Sequence, residues 1–71
     1  MHFLITKVGA DSDNRFLQSP RVSGSQFSRD FGDSSRKWRI HSKRLAQLIA
    51  SDLQNVRILW VDGDKWGDCK D

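Results

Sequence analysis

The nine residues Arg36-Lys37-Trp38-Arg39-Ile40-His41-Ser42-Lys43-Arg44 carry five of the chain's 12 Lys and Arg side chains and no acid. The acid-free window is wider still, from Ser34 to Ser51. Cations this dense concentrate positive potential on one strip, which suits an anionic partner such as a phosphate backbone or an acidic protein surface. An ordinary solvated charged face is the other reading of the same residues. Arg36, Lys37, Arg39, His41, Lys43 and Arg44 are the candidate binding residues. Trp66 and Phe31 are the candidate aromatic contacts, because rings beside cations hold single strands of nucleic acid by stacking. Trp38 and Trp60 fall on apolar strand faces and are expected in the core.

Catalytic chemistry has little to work with. Cys69 has no helix N-terminus near it to lower its pKa and reads as a free surface thiol. His2 and His41 have no Ser, Cys or carboxylate at a telling spacing. Asp62, Asp64 and Asp68 alternate as divalent-cation ligands can, but turn formation and solvation account for them. One Cys and two His fall short of the roughly four ligands of a structural zinc site. No glycine-rich phosphate loop, metalloprotease motif or nucleophile elbow is present. No catalytic residue, metal or cofactor is expected.

These side chains need a scaffold, and 71 residues supply one small domain. A chain of this size buries only about 60% of its unfolded surface, too little for a deep cleft. Net charge is +3 and the isoelectric point is about 9.5. All nine acids are Asp. A single Cys excludes an internal disulfide. No apolar run approaches the roughly 20 residues of a membrane span, and the first residues are too briefly apolar for a signal peptide. A cytoplasmic setting with no membrane partner is the expectation.

His2 to Val8 is apolar and β-branched and reads as a strand, broken by the turn formers from Gly9 to Asn14. Arg15 to Gln18 reads as a second short strand. A mobile loop is expected over residues 18–35, where Pro20, Gly24, Gly32 and six serines interrupt any pattern. Phe27 and Phe31, four apart, allow one helical turn there instead. Lys37 to His41 alternates: Trp38 and Ile40 toward the core, Lys37, Arg39 and His41 away from it. Ser42 is a good N-cap, and Leu45, Leu48, Ile49 and Leu53 follow at helical spacing, ending near Gln54-Asn55. Lys43 and Arg44 then stand in the first turn, where cations oppose the helix dipole at a cost of up to about 1 kcal/mol each. Val56 to Val61 is the strongest strand, and Asp62-Gly63 begins a hairpin turn returning along Lys65 to Asp68. The expected fold is α+β: an antiparallel-rich sheet of three to five strands with one helix on one face. If the strand at 56–61 is an edge, it could pair with a second copy as a homodimer.

The ending Leu59-Trp60-Val61-Asp62-Gly63-Asp64-Lys65-Trp66-Gly67-Asp68-Cys69 resembles that of a small type I-F anti-CRISPR protein. Those chains close with Leu-Trp, a turn containing Asp-Gly, then Lys or Arg before Trp-x-Asp-Cys. Ile5 and Val8 around Lys7, and Ile49-Ala50-Ser51 in the helix, are similar to the same family, as are the length and the strand-helix-strand-hairpin order. The basic helix residues by which that family engages its target have no counterpart: Gln47-Leu48 and Asp52 occupy those places. The resemblance implies a non-enzymatic inhibitor of phage or mobile-element origin. Its partner would be a host protein or ribonucleoprotein, a type I-F CRISPR surveillance complex; that Arg36 to Arg44 make the contact follows from the charge of the strip and not from the resemblance. Direct binding of DNA or RNA by the same strip is the alternative.

Overall fold

The computed structural model describes residues 1–20 and 30–69. Its elements are β1 (His2–Lys7), β2 (Phe16–Leu17), β3 (Phe31–Gly32), a 3-10 turn (Ser34–Arg36), α1 (Lys43–Ser51), β4 (Val56–Asp62) and β5 (Lys65–Asp68). The five strands form one antiparallel sheet in the order β3-β2-β1-β4-β5. With α1 on one side, this is the expected small α+β fold.

The helix forms where the N-cap places it. The Ser42 hydroxyl accepts the Leu45 N–H at 3.2 Å, satisfying one of the unpaired donors of the first turn. The helix stops at Ser51, with Asp52 as C-cap, three residues before the expected end near Gln54-Asn55. Asn55 then takes φ +58°, a left-handed conformation that Asn tolerates better than most residues, and turns the chain into β4. Ala46 and Ile49 are the buried helix residues, with Leu45, Ala50 and Leu53 packed beside them. Leu48, expected in the core by spacing, is 58% exposed. With only nine residues, α1 turns a narrow apolar stripe inward, and Leu48 lies off it.

Phe3 and Ile5 of β1 meet this stripe, together with Leu17, Ile40, Ala46 and Ile49. Trp38 and Trp60 pack against the same core half-buried, as their strand positions predict. Trp60 lies across β5 at its register partner Gly67, where a Cβ would come within 3.0 Å of the indole. A side chain there would push the ring back by a few tenths of an ångström. Cys69 is free but half-buried against the core, so it is less of a surface thiol than expected. The β4–β5 turn has two residues, Gly63 and Asp64, and Gly63 at φ +62° supplies the positive first position of a type II′ hairpin.

Two further expectations change. Phe31–Gly32 is a strand and Ser34–Arg36 a 3-10 turn, so the C-terminal part of the presumed mobile loop is ordered by pairing with β2. Residues 21–29, including Phe27, lie outside the described residues. Nor is β4 an edge: β1 and β5 flank it, so its ladder groups are taken and the homodimer route through 56–61 is closed.

The helix packing yields a test. Ile49→Ala should cost about 2–5 kcal/mol, comparable to the whole stability of many domains this small, whereas Leu48→Ala should cost about 0.5 kcal/mol or less. Urea denaturation followed by Trp fluorescence distinguishes them. Equal losses would show that a different helix face is buried.

Candidate binding face

The basic strip is held by a wedge. β1 and β2 pair at a single described position, Thr6 with Phe16, and diverge from there. Residues 36–40 fill the gap. The Ser19 N–H donates to the Arg36 carbonyl at 3.0 Å, and the Trp38 N–H to the Leu17 carbonyl at 2.9 Å. Phe3 and Ile40 exchange both backbone bonds, at 2.6 and 2.9 Å. Asp33 caps the turn ahead of this segment by accepting from the Ser35 N–H and hydroxyl, and those bonds hold its carboxyl below the usual range. The expected strand at Lys37–His41 is thus two isolated bridges, Gln18 with Lys37 and Phe3 with Ile40.

The bridges decide where the side chains point. Ile40 is 1% exposed in the core, so Lys37, Arg39 and His41 stand on the opposite side of the sheet, which α1 does not cover. Register arranges that face in three rows. Phe16, Thr6 and Arg57 form one. Leu4, Leu59 and Asp68 form the next, with Arg39 beside Leu4 by continuation of the Phe3–Ile40 bridge. His2, Val61 and Trp66 form the third, with His41 beside His2.

The result is a shallow groove of about 660 Å³ with an apolar floor of Leu4, Leu59 and Val61. Lys7, Arg15, Lys37 and Arg57 line it as cations and Asp68 as an acid, with Phe16 and Trp66 as aromatics. Leu4 is 5% exposed although no described helix lies over it, because its neighbours on this face shield it. The Lys37 ammonium sits 5.8 Å from the Phe16 ring centroid, within cation–π range. Trp66 is 69% exposed.

The strip's other members go elsewhere. Arg36 ends the 3-10 turn, exposed. Lys43 and Arg44 are exposed in the first turn of α1, which contains no acid, and Lys43 lines a separate hollow with Phe3, Trp60 and Lys65 on the helix side. The chain turns the corner at Ser42, so one run of sequence becomes two patches. Phe31 is half-buried against the core with the Lys7 ammonium 5.6 Å from its ring centroid, away from the groove, and Phe16 takes the aromatic place expected of it. Sequence reading missed Lys7, Arg15, Phe16 and Arg57. Arg57 was recoverable, since period-two spacing sets it with Leu59 and Val61 opposite Ile58 and Trp60; Phe16 gave no such signal.

His2 and His41 make an edge-on ring contact with centroids 6.2 Å apart. Partial burial, then the charges of Arg39, His41, the N-terminal amine and Lys37, hold the His2 imidazole below its ordinary value. Such a cation-rich surround disfavours a divalent metal on these two rings and favours an anion. No group of three or more His, Cys, Asp or Glu with metal-binding geometry occurs among the described residues. No described helix is long and apolar enough to cross a membrane. No protein-family model matches the chain, and no curated protein or solved structure matches it.

An anion on this face would favour the protonated imidazole and raise the His2 pKa from its lowered value. Binding therefore takes up protons, and affinity rises as pH falls through the ordinary imidazole range at about 6.5 and on toward the lowered value of the free protein. Calorimetry of polyphosphate binding in two buffers of different ionisation enthalpy should show this uptake, and His2→Gln should reduce it. Proton release on binding would contradict the placement of the anion beside His2.

Proposed function

We propose that this chain is a non-enzymatic inhibitor of phage or mobile-element type. It blocks a nucleic-acid-handling complex in the host cytoplasm, with a type I-F CRISPR surveillance complex as its target. One observation carries the reading: cations from separate stretches of chain, Arg15, Lys37, Arg39 and Arg57, share one sheet face that no described helix covers, with Asp68 as the acid lining its groove among the described residues. A nucleic-acid-handling complex holds its strands on cationic protein surface, and its anionic surface is the RNA it carries together with any exposed acidic protein patch. A compact cationic face competes there by charge complementarity, which raises association rates and disfavours wrong partners. The likeness of the C-terminal segment from Leu59 to Cys69 to type I-F anti-CRISPR endings supports that choice of target. Shape supports it too, because a shallow face without an enclosed cleft suits docking better than turnover.

A second reading, direct binding of nucleic acid without a protein target, draws on Phe16 beneath Lys37 and the exposed Trp66 on the same face. The two differ in whether naked nucleic acid is sufficient.

Double charge reversals separate the two patches that the corner at Ser42 creates. Lys37→Glu/Arg39→Glu should weaken binding to an immobilised, purified type I-F surveillance complex by more than about tenfold, while Lys43→Glu/Arg44→Glu should change it by less than about threefold. Unaltered thermal melts would confirm that both variants fold. If the helix-side pair alone mattered, the sheet face would not be the contact.

A further inference from the structure

We infer that the ligand of the sheet face opposite α1 is single-stranded nucleic acid, lying diagonally from Phe16 to Trp66 with its bases toward the sheet. This rests on the second reading above, direct binding of nucleic acid by this face, and names the class of strand it takes.

Three features favour a strand over a duplex. The floor is apolar, from Leu4, Leu59 and Val61, and a duplex presents phosphates and sugars to a surface it lies on, with its bases turned inward. An unstacked strand presents base faces, which suit an apolar floor and aromatic rings. The aromatics also stand at the two ends of the diagonal. Phe16 is on β2 in one row, and Trp66 is on β5 two rows away. Three inter-strand steps of about 4.8 Å and four residues of about 3.4 Å place them roughly 20 Å apart, a span for several nucleotides. Lastly, the element a duplex groove would admit, α1, is on the other face of the sheet.

The cations fit the same path. Lys37 lies beside Phe16, Arg57 shares the Phe16 row, Arg39 stands beside Leu4, and His41 and His2 share the Trp66 row. Each can meet a phosphate while a neighbouring base rests on the floor or a ring. An indole 69% exposed on an edge strand is costly surface to leave in water, and stacking removes it. Cation-flanked aromatic platforms on a sheet hold strands with little sequence preference, since every base has a π face.

The test is fluorescence anisotropy with labelled oligo(dT) and oligo(U) of about 12 nucleotides, and with the duplex of the same DNA strand, at low and moderate salt. Single strands should bind at least about tenfold tighter than the duplex, with a log–log salt slope near −2 if about three phosphates are neutralised. The oligo(dT) and oligo(U) arms show whether DNA or RNA is preferred. Trp66→Ala should weaken single-strand binding about 5- to 150-fold with its thermal melt unchanged, because Trp66 is exposed. Equal affinity for strand and duplex, or an unaffected Trp66→Ala variant, would overturn the inference. If no naked strand binds, yet Lys37→Glu/Arg39→Glu still abolishes binding to the surveillance complex, the strand assignment falls and the contact face stands. If both experiments are silent, both readings fall.

Discussion

The pair of backbone hydrogen bonds between Phe3 and Ile40 is the joint on which the rest of this small structure depends. It closes the gap left where β1 and β2 diverge, and it seats Ile40 against Phe3, Ile5, Leu17, Ala46 and Ile49. The same pairing sets the parity of residues 37–41. With Ile40 turned inward, Lys37, Arg39 and His41 must emerge on the far side, because successive side chains of extended backbone alternate. The core and the charged face are therefore two consequences of one register. Shifting that register by one residue would put cations in the core, which is why so short a segment, without a continuous ladder, is still strongly specified.

Among the described residues, one nine-residue helix covers one face of the five-stranded sheet and leaves the other without a helix. That face solves this locally. Leu4 and Thr6 become almost inaccessible through their neighbours in the sheet and the overhanging long side chains, and no described buried side-chain polar atom lacks a hydrogen-bond partner. Long cationic side chains suit this role, since their methylene stems shield apolar surface while the charged ends remain in water. Shielding and binding thus draw on the same residues: Lys37 over Phe16 protects a ring in the free protein and offers its charge to an anion. The opposite face needs no such arrangement, because α1 and the two half-buried tryptophans close it.

Much of this was legible along the chain. The alternation Lys37-Trp38-Arg39-Ile40-His41, the Ser42 cap, the strand at Val56 and the Asp-Gly hairpin are short-range signals, and each appears where local chemistry put it. Less legible were features set by what lies opposite. Leu48 has the spacing of a core residue but faces water, because a stripe this narrow admits only some of the apolar positions on a helix. Phe31 looked like a free aromatic in a serine-rich loop. Pairing with Leu17 turns it to the core, while Phe16, one place before Leu17, is turned to the groove.

By itself, the sequence determined the element types, the helix start, the hairpin and the density of positive charge between Arg36 and Arg44. These follow from backbone preference, capping and period-two or helical spacing, all of which act over a few residues. Only the tertiary structure decided which cations act together. It separated Lys43 and Arg44 from Lys37 and Arg39 by carrying the chain around the sheet at Ser42, and it brought Arg15 and Arg57 from distant stretches to the groove. The physical reason is that a binding face is made by strand order and register, and those depend on pairings between residues far apart in the chain.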